Sequence, residues 1–246
     1  MITGRSRSSS SWIRKIEEEV CRYLKDEPSG HDPGHAFRVR DLAIRIAESI
    51  GADTEVVEGA ALLHDIGHAV DRSAHARRGA FLATEILAQC SFPASKAPAV
   101  VACIESHHWK PGRAGDPPEP KLEYQAFTDA DRLDALGAIG IARTFAFGGA
   151  HGRPIWSLDT ENTKSNLYGI SSIHHFYDKL LRLPHDMYTE LGRCLAARRV
   201  AVMEAFLQTF YLEWEGKDIE PKTHGSKSSL SLDGFPERTI NVSDSV

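Results

Sequence analysis

The sequence is poor in cysteine and in long apolar runs, and each shortage excludes a class of protein. Its four cysteines are scattered and form no Cys-x-x-Cys pair, which excludes a disulfide-rich secreted framework and favours reduced thiols. No run of about eighteen apolar residues occurs, and the Arg/Ser-rich start has no apolar segment of the kind that a secretion signal needs. We therefore expect a soluble, cytoplasmic protein without a membrane partner.

The chain also lacks an excess of positive charge. Its formal net charge is −5, so no global basic field would hold the backbone of a nucleic acid, and we expect no stable nucleic-acid partner. The 246 residues are 41% hydrophobic, enough for one sizeable core. We predict one domain over residues 11–215, between a disordered N-terminus (1–10) and a disordered polar tail (216–246).

Apolar residues recur at helical spacing along most of the domain, which predicts a series of helices. The first helix is expected from Ser11 to about Lys25, with a buried stripe formed by Trp12, Ile16, Val20 and Leu24. Near the end of the domain, Thr189 is expected to cap a long helix. The stripe that we expect this helix to bury consists of Leu191, Leu195, Val202, Phe206 and Phe210.

An apolar run that ends in an adjacent histidine and aspartate is the most informative stretch. It reads Ala60-Ala61-Leu62-Leu63-His64-Asp65-Ile66-Gly67, and Gly67 is expected to end its helix. An imidazole beside a carboxylate at the end of a buried helix suits a borderline-to-hard divalent ion rather than a thiolate-bound zinc. Two ligands do not complete a site, so others must come from elsewhere.

Two further segments offer ligands. Asp32 and Pro33 are typical of the cap and first position of a helix, which would put His35 in the first turn and leave His31 outside it. A second helical stretch, from Lys121 to about Phe147 with breakers at Gly137 and Gly140, carries Asp131 on its apolar face. Asp134 lies one turn further on that face, whereas Asp129 is displaced from it and is expected to cap or to face water.

The order of these segments resembles the HD-domain metal-dependent phosphohydrolase superfamily. The matching motifs are His35-Ala-Phe-Arg-Val, Leu-Leu-His64-Asp65-Ile-Gly and Ala-Asp131-Arg-Leu. The stretches at 129–145 and 174–181 look like a branch of small stand-alone HD hydrolases, whose characterised members are nucleotide pyrophosphohydrolases. This resemblance covers about residues 12–215. It implies an all-α, single compact helical HD domain with long loops over the metal site.

The resemblance also implies a ligand set and a reaction. One divalent metal ion (Mn, Mg, Co, Ni or Fe) would be held by His35, His64, Asp65 and Asp131. A water activated by that ion would hydrolyse a small phosphorylated substrate, in the expected case a nucleoside triphosphate cleaved to monophosphate and pyrophosphate. Asp65 would thus be catalytic as well as a ligand.

Further residues complete the predicted site. His68 occupies the place where several related phosphohydrolases carry an acidic residue for proton transfer, and a histidine can do that work near neutral pH; a pocket-lining or surface role is the alternative. His107, Lys110 and Lys179 are predicted to bind substrate, with Arg113 as a further cation. For the charged side chains the alternative is ordinary solvation.

Two other functions remain open from the sequence. The first is a non-catalytic HD module that binds a nucleotide or a metal. The second is a di-iron HD-fold oxygenase, which needs more inward histidines, and His107 is its only good candidate for one. The complete set of four ligands favours the hydrolase over the first, and the shortage of inward histidines favours it over the second.

Overall fold

Helices make up the regular structure of residues 11–69, 75–106, 120–157 and 170–219, the parts that a computed structural model of the chain describes. The predicted all-α fold is confirmed. None of the helices in these ranges is long and apolar enough to cross a membrane. In chain order the α-helices are α1 Ser11–Leu24, α2 Pro33–Ile50, α3 Thr54–Leu63, α4 His75–Gln89, α5 Ala97–Glu105, α6 Leu122–Asp134, α7 Gly137–Ala150, α8 Ser172–Asp178 and α9 Glu190–Trp214, with 3₁₀-helices at Ile66–Ala69 and Leu180–Asp186.

The helix α2 packs most extensively against α6 and α3. From Val56 to Leu63, α3 is buried on every side, as expected of a helix surrounded by others. His35 lies in the first turn of α2, His64 directly follows α3, and Asp131 lies in α6. The central packing of these three helices therefore brings the three predicted ligand segments together.

The start of α2 follows the sequence prediction, and a glycine ends the helix. The carboxylate of Asp32 accepts a hydrogen bond from the backbone N–H of His35 at 2.9 Å, and Pro33 occupies the first turn. At the other end, Gly51 adopts the left-handed conformation with φ 74° and its N–H bonds to the carbonyl of Ala47, a conformation that glycine adopts without strain. The cap fixes His35 at the start of the helix.

The helix α3 ends earlier than predicted, at Leu63 rather than Gly67. His64 is its C-cap, and Nδ1 of the imidazole lies 2.9 Å from the carbonyl oxygen of Ala61. A 3₁₀-helix from Ile66 to Ala69 follows and contains Gly67. The tighter turn keeps both His64 and Asp65 buried, at 2% and 3% exposure.

The predicted break at Gly137 is present, but Gly140 does not break a helix. Gly137 has φ 73° and starts α7 after the short turn through Ala135 and Leu136. Gly140 lies inside α7, where an added Cβ would lie 2.1 Å from the carbonyl oxygen of Ala135. Close approach of that carbonyl, rather than a turn, explains the second glycine.

The chain divides into two compact units, Met1–Leu207 and Gln208–Val246. In the first unit, the buried residues of α9 are Gly192, Ala196, Met203 and Leu207, so the predicted stripe was wrong by one position; Val202, for example, is 47% exposed. The reason lies at Gly192, where an added Cβ would meet Asp129 Oδ2 at 2.3 Å. In the second unit, the ring of Phe210 stacks on Trp214 with centroids 5.5 Å apart.

Candidate metal centre

Side chains from α2, from α6 and from the two residues that follow α3 lie close together. Nε2 of His35 lies 3.1 Å from Nε2 of His64 and 3.4 Å from Oδ1 of Asp131. Oδ2 of Asp65 is 3.3 Å from each imidazole Nε2. His35, His64 and Asp131 offer ligand atoms that all lie within 4.8 Å of one another. Atoms that share one ion at about 2.1 Å and at right angles are separated by about 3 Å, so this spacing fits a shared cation.

The orientation of both imidazoles also fits a metal site. Nδ1 of His35 lies 2.8 Å from Asp134 Oδ2, and Nδ1 of His64 lies 2.9 Å from the Ala61 carbonyl oxygen. Both partners are acceptors, so each Nδ1 carries the proton and donates it. Nε2 is therefore the nitrogen of each ring that faces the other ligands and that an ion would bind in place of a proton, as is usual for metal-bound histidines.

Charge and burial make the cluster costly without a cation. Burial alone lowers the pKa of His35, but the carboxylates of Asp131, Asp134 and Asp65 outweigh it and raise that pKa to about 10. Burial likewise raises the pKa of Asp65, yet His64 and His35 outweigh it and hold that pKa well below the usual range. The carboxylates thus require positive charge among them, which a divalent ion supplies.

The donor set narrows the choice of ion. Two imidazole nitrogens and two carboxylate oxygens suit Mn, Fe, Co, Ni or Mg, whereas the thiolates that favour structural zinc do not take part. His35 is fully buried, and the side chain of Asp131 is 24% exposed. The side of the cluster next to Asp131 is therefore the side on which solvent can reach an ion.

Asp134 is a residue of the site whose role the sequence did not reveal. Besides its contact with His35, its Oδ1 accepts a hydrogen bond from Nε of Arg38 at 2.8 Å. Its Oδ2 accepts from Arg38 Nη2 and from Arg143 Nη1, both at 3.0 Å. Burial raises the pKa of Asp134, but His35 and the two arginines outweigh it and lower that pKa to about 2. One spacing hinted at this pairing: Arg38 follows His35 by one helical turn, just as Asp134 follows Asp131.

Asp129 does not join the ligands and acts as a cap, one of the two roles expected for it. Its carboxylate accepts hydrogen bonds from the backbone N–H groups of Tyr188 and Thr189 at 2.9 and 2.8 Å. The hydroxyl of Thr189 donates to it at 2.7 Å and in turn accepts from the N–H of Gly192. Thr189 therefore caps α9 as predicted, and Asp129 anchors that cap to α6.

The remaining predicted residues are Lys179 and several that lie wholly or partly outside the described residues. Lys179 is exposed and directly follows α8. His107 and Lys110 lie outside the described residues, as does Arg113. His68 belongs to the 3₁₀-helix that follows Asp65, but its side chain lies outside what the structure describes. Their roles in catalysis and substrate binding stay predictions.

The other histidines of interest have local partners. His31 lies outside α2, as predicted, and its Nδ1 is 3.0 Å from the hydroxyl of Ser29. His174 stacks on Trp156 with ring centroids 4.8 Å apart. Its Nδ1 lies 2.7 Å from the hydroxyl oxygen of Ser171. These contacts give His174 a packing role.

Comparisons with known proteins identify the family of this chain. The model of the HD domain family matches residues 34–136, which include His35, His64, Asp65 and Asp131. YpgQ of Bacillus subtilis is 35% identical over 211 residues, which cover 85% of this chain and 94% of YpgQ. The chain belongs to the HD-domain family.

Solved structures of HD-domain proteins agree with this assignment. The crystal structure of B. subtilis YpgQ in complex with ADP matches with a TM-score of 0.65 at 32% identity, over 84% of this chain and 97% of that chain. An HD-superfamily hydrolase from Bacillus thuringiensis matches with a TM-score of 0.62 at 34% identity, over 82% and 96% of the two chains. Together with the His/Asp cluster, the family and these neighbours support a metal-dependent phosphohydrolase.

Proposed function

We propose that this protein is a nucleotide phosphohydrolase that cleaves nucleoside triphosphates to the monophosphate and pyrophosphate, using one divalent ion. The observation that carries the proposal is the buried cluster of His35, His64 and Asp131, whose ligand atoms lie within 4.8 Å of one another. Oδ2 of Asp65 lies 3.3 Å from Nε2 of each histidine, and Asp131 is the partly exposed member. The structure of YpgQ with ADP supports a nucleotide as the ligand class, because this chain resembles YpgQ over nearly its whole length.

The four ligands would hold the ion, and the surrounding side chains would keep them in place. When bound, a divalent ion lowers the pKa of a coordinated water and offsets the negative charge that develops on a phosphate. Asp134 accepts a hydrogen bond from the Nδ1–H of His35, so the imidazole keeps the tautomer and the orientation that metal binding requires. Arg38 and Arg143 hold the Asp134 carboxylate from the other side.

Proton transfer and phosphate binding fall to residues around this core. His68 follows Asp65 in the 3₁₀-helix Ile66–Ala69, so the backbone keeps it near the ligands, and an imidazole can exchange a proton at neutral pH. His107, Lys110 and Lys179 are proposed to bind the substrate, the two lysines by neutralising phosphate charge as the reaction needs.

The decisive experiment measures product release from a panel of nucleotides and phosphomonoesters with Mn, Mg, Co or Ni. Pyrophosphate and monophosphate are expected from triphosphates with the wild type, and the Asp65→Ala variant is expected to be inactive while remaining folded. Asp41→Asn, which changes an exposed carboxylate on α2 (64% exposed), serves as the matched control and should retain activity.

Two outcomes would overturn the proposal. Failure to cleave any phosphate ester with any metal, in protein that carries two irons, would favour an oxygenase. Tight nucleotide binding without turnover, under the same range of metals, would favour a non-catalytic binding module.

A further inference from the structure

Arg153 is a buried arginine whose guanidinium lacks a hydrogen-bond partner among the described residues. The residue is only 7% exposed, and its Nε is buried without an acceptor. Burial lowers the pKa of Arg153, and no described carboxylate counteracts that effect. Buried arginines are rare unless they are paired, and a buried donor without an acceptor costs free energy. This side chain therefore requires an explanation that the metal centre does not provide.

Packing explains only part of this arrangement. The guanidinium carbon lies 5.4 Å from the ring centroid of Phe147, a distance at which a cation is attracted to the ring face. Arg153 also lies three positions beyond the last residue of α7, near the carbonyl end of the helix, which favours positive charge. Neither contact gives the Nε–H an acceptor, so this donor has no partner among the described residues.

The backbone places Arg153 beside α8. The N–H of Ser172 bonds to the Pro154 carbonyl at 2.9 Å, and that of Ile173 bonds to the Ile155 carbonyl at 3.0 Å. At Gly148, an added Cβ would lie 2.2 Å from Ser172 Oγ and 3.7 Å from Arg153 Cβ. The segment after α7 and the first turn of α8 thus form one tightly packed corner.

Two more basic side chains come from α8 and the residue after it. His175 lies one turn beyond Ser172. Its pKa is lowered to about 4 by burial and by the positive charges of Lys179 and Arg153, and no described carboxylate counteracts them. His175 is consequently neutral and can donate a hydrogen bond without adding charge. Arg153, His175 and Lys179 together form what we call the basic corner.

We propose that the basic corner binds a phosphate group, with the buried guanidinium of Arg153 as its main donor. A phosphate offers several acceptor oxygens and matches the fork of N–H groups on a guanidinium, which a lysine does not reproduce. The phosphate of a nucleotide and a free phosphate or pyrophosphate ion share this chemistry. Insofar as the phosphate belongs to the nucleotide, the inference rests on the proposed function.

Equilibrium binding tests the inference without turnover. Calorimetric titrations of inorganic phosphate, pyrophosphate and ADP are made on the full-length protein after chelation, so that no ion can hold the probe. Arg153→Gln is expected to weaken binding by at least about tenfold, and Arg153→Lys to restore only part of the loss. Arg198→Gln, which removes an exposed arginine from α9, is the matched control and should bind like the wild type. Circular dichroism and thermal unfolding establish that each variant is folded.

Each outcome either supports or overturns the inference that the basic corner binds phosphate. Loss of affinity for all three probes assigns the corner to free phosphate as well as nucleotide, whereas loss for ADP alone assigns it to a nucleotide. Unchanged affinity for every probe in folded Arg153→Gln, or no binding by the chelated wild type, overturns the inference and leaves Arg153 as a packing residue on Phe147. Absence of hydrolysis in the assays with Mn, Mg, Co or Ni would overturn the proposed function but would not change the interpretation of these titrations.

Discussion

Oδ2 of Asp134 lies 2.8 Å from Nδ1 of His35, on the side of the imidazole opposite the metal ligands. The same carboxylate is held by Arg38 and Arg143. A carboxylate behind a metal-bound imidazole fixes the tautomer and raises the basicity of the ligand. The orientation of His35 is therefore set by a residue outside the proposed ligand set.

Replacing Asp134 with asparagine is expected to lower metal affinity by roughly ten- to a hundredfold. The amide cannot accept the His35 proton as strongly as a carboxylate does. Titration of the chelated protein with Mn²⁺ measures the effect, and Asp41→Asn is the control. Wild-type affinity in folded Asp134→Asn would show that His35 needs no such partner.

Removal of the metal is expected to lower thermal stability. The ion binds only the folded cluster, and a ligand at a hundred times its Kd stabilises by about 2.7 kcal/mol. Unfolding temperatures with and without added Mn²⁺ measure the difference. Asp131→Asn should abolish the response to metal, and a variant that responds like the wild type would remove Asp131 from the ligand set.

Asp129 and Asp131 are expected to respond in opposite ways when changed to alanine. Asp129→Ala leaves two backbone N–H groups and a hydroxyl without their acceptor, so it should lose roughly 2–4 kcal/mol of stability and keep its metal affinity. Asp131→Ala should lose metal affinity and retain metal-free stability. Urea unfolding and metal titration of the two variants test this contrast, which fails if folded Asp129→Ala no longer binds metal.

Glu58 is expected to make the protein less stable as the pH rises toward neutrality. It is 7% exposed, and burial raises its pKa to about 7 from an unfolded value of 4.5; Glu17, Asp41 and Glu55 act in the same sense, and Arg40 opposes them. The folded state therefore holds a proton that the unfolded state releases above pH 4.5, so stability is full below that value and falls as the pH rises through 7.

The Glu58→Gln variant tests this dependence. It should be more stable than the wild type above pH 7, by at most roughly 3 kcal/mol, and the difference should shrink toward pH 5. Denaturant unfolding across this range provides the measurement. A constant difference between the two proteins from pH 5 to 8 would exclude titration of Glu58 as the cause.

Two glycines of α7 form a matched pair for the packing argument. The Gly140→Ala variant should lose roughly 1–3 kcal/mol or more of its free energy of unfolding. The added methyl group would lie 2.1 Å from the carbonyl oxygen of Ala135, and a packed core does not tolerate such overpacking. Gly149→Ala has open space around its added carbon and should be neutral or gain up to about 1 kcal/mol. Equal stabilities of the two variants would contradict the assigned role of Gly140.

The parts of the site that could be predicted from the sequence are those whose conformation depends on neighbouring residues. Asp32 and Pro33 determine where α2 begins, so the position of His35 in the first turn followed from neighbouring residues. The adjacency of His64 and Asp65 at the end of an apolar helix was equally local. In each case a short segment contains the whole physical reason for its conformation.

The features that sequence did not reveal depend on contacts between distant segments. The face that α9 buries is set where Gly192 packs against Asp129. The hydrophobic pattern of α9 itself gives no information about that contact. Asp134 gains its role only because α2 and α6 pack together and bring Arg38 to it. Arg153 likewise reads as an ordinary charged residue until the packing of the chain buries it.

The proposed ligands of the metal centre come from segments that are far apart along the chain, with His35 and His64 alone separated by 29 positions. An ion held by all of them would act as a reversible cross-link that ties α2, α3 and α6 into closed loops. Closing such loops removes conformational entropy from the open chain, and α4 and α5 lie within the longest loop. A protease cut between α3 and α6 would therefore leave two fragments that the ion still joins.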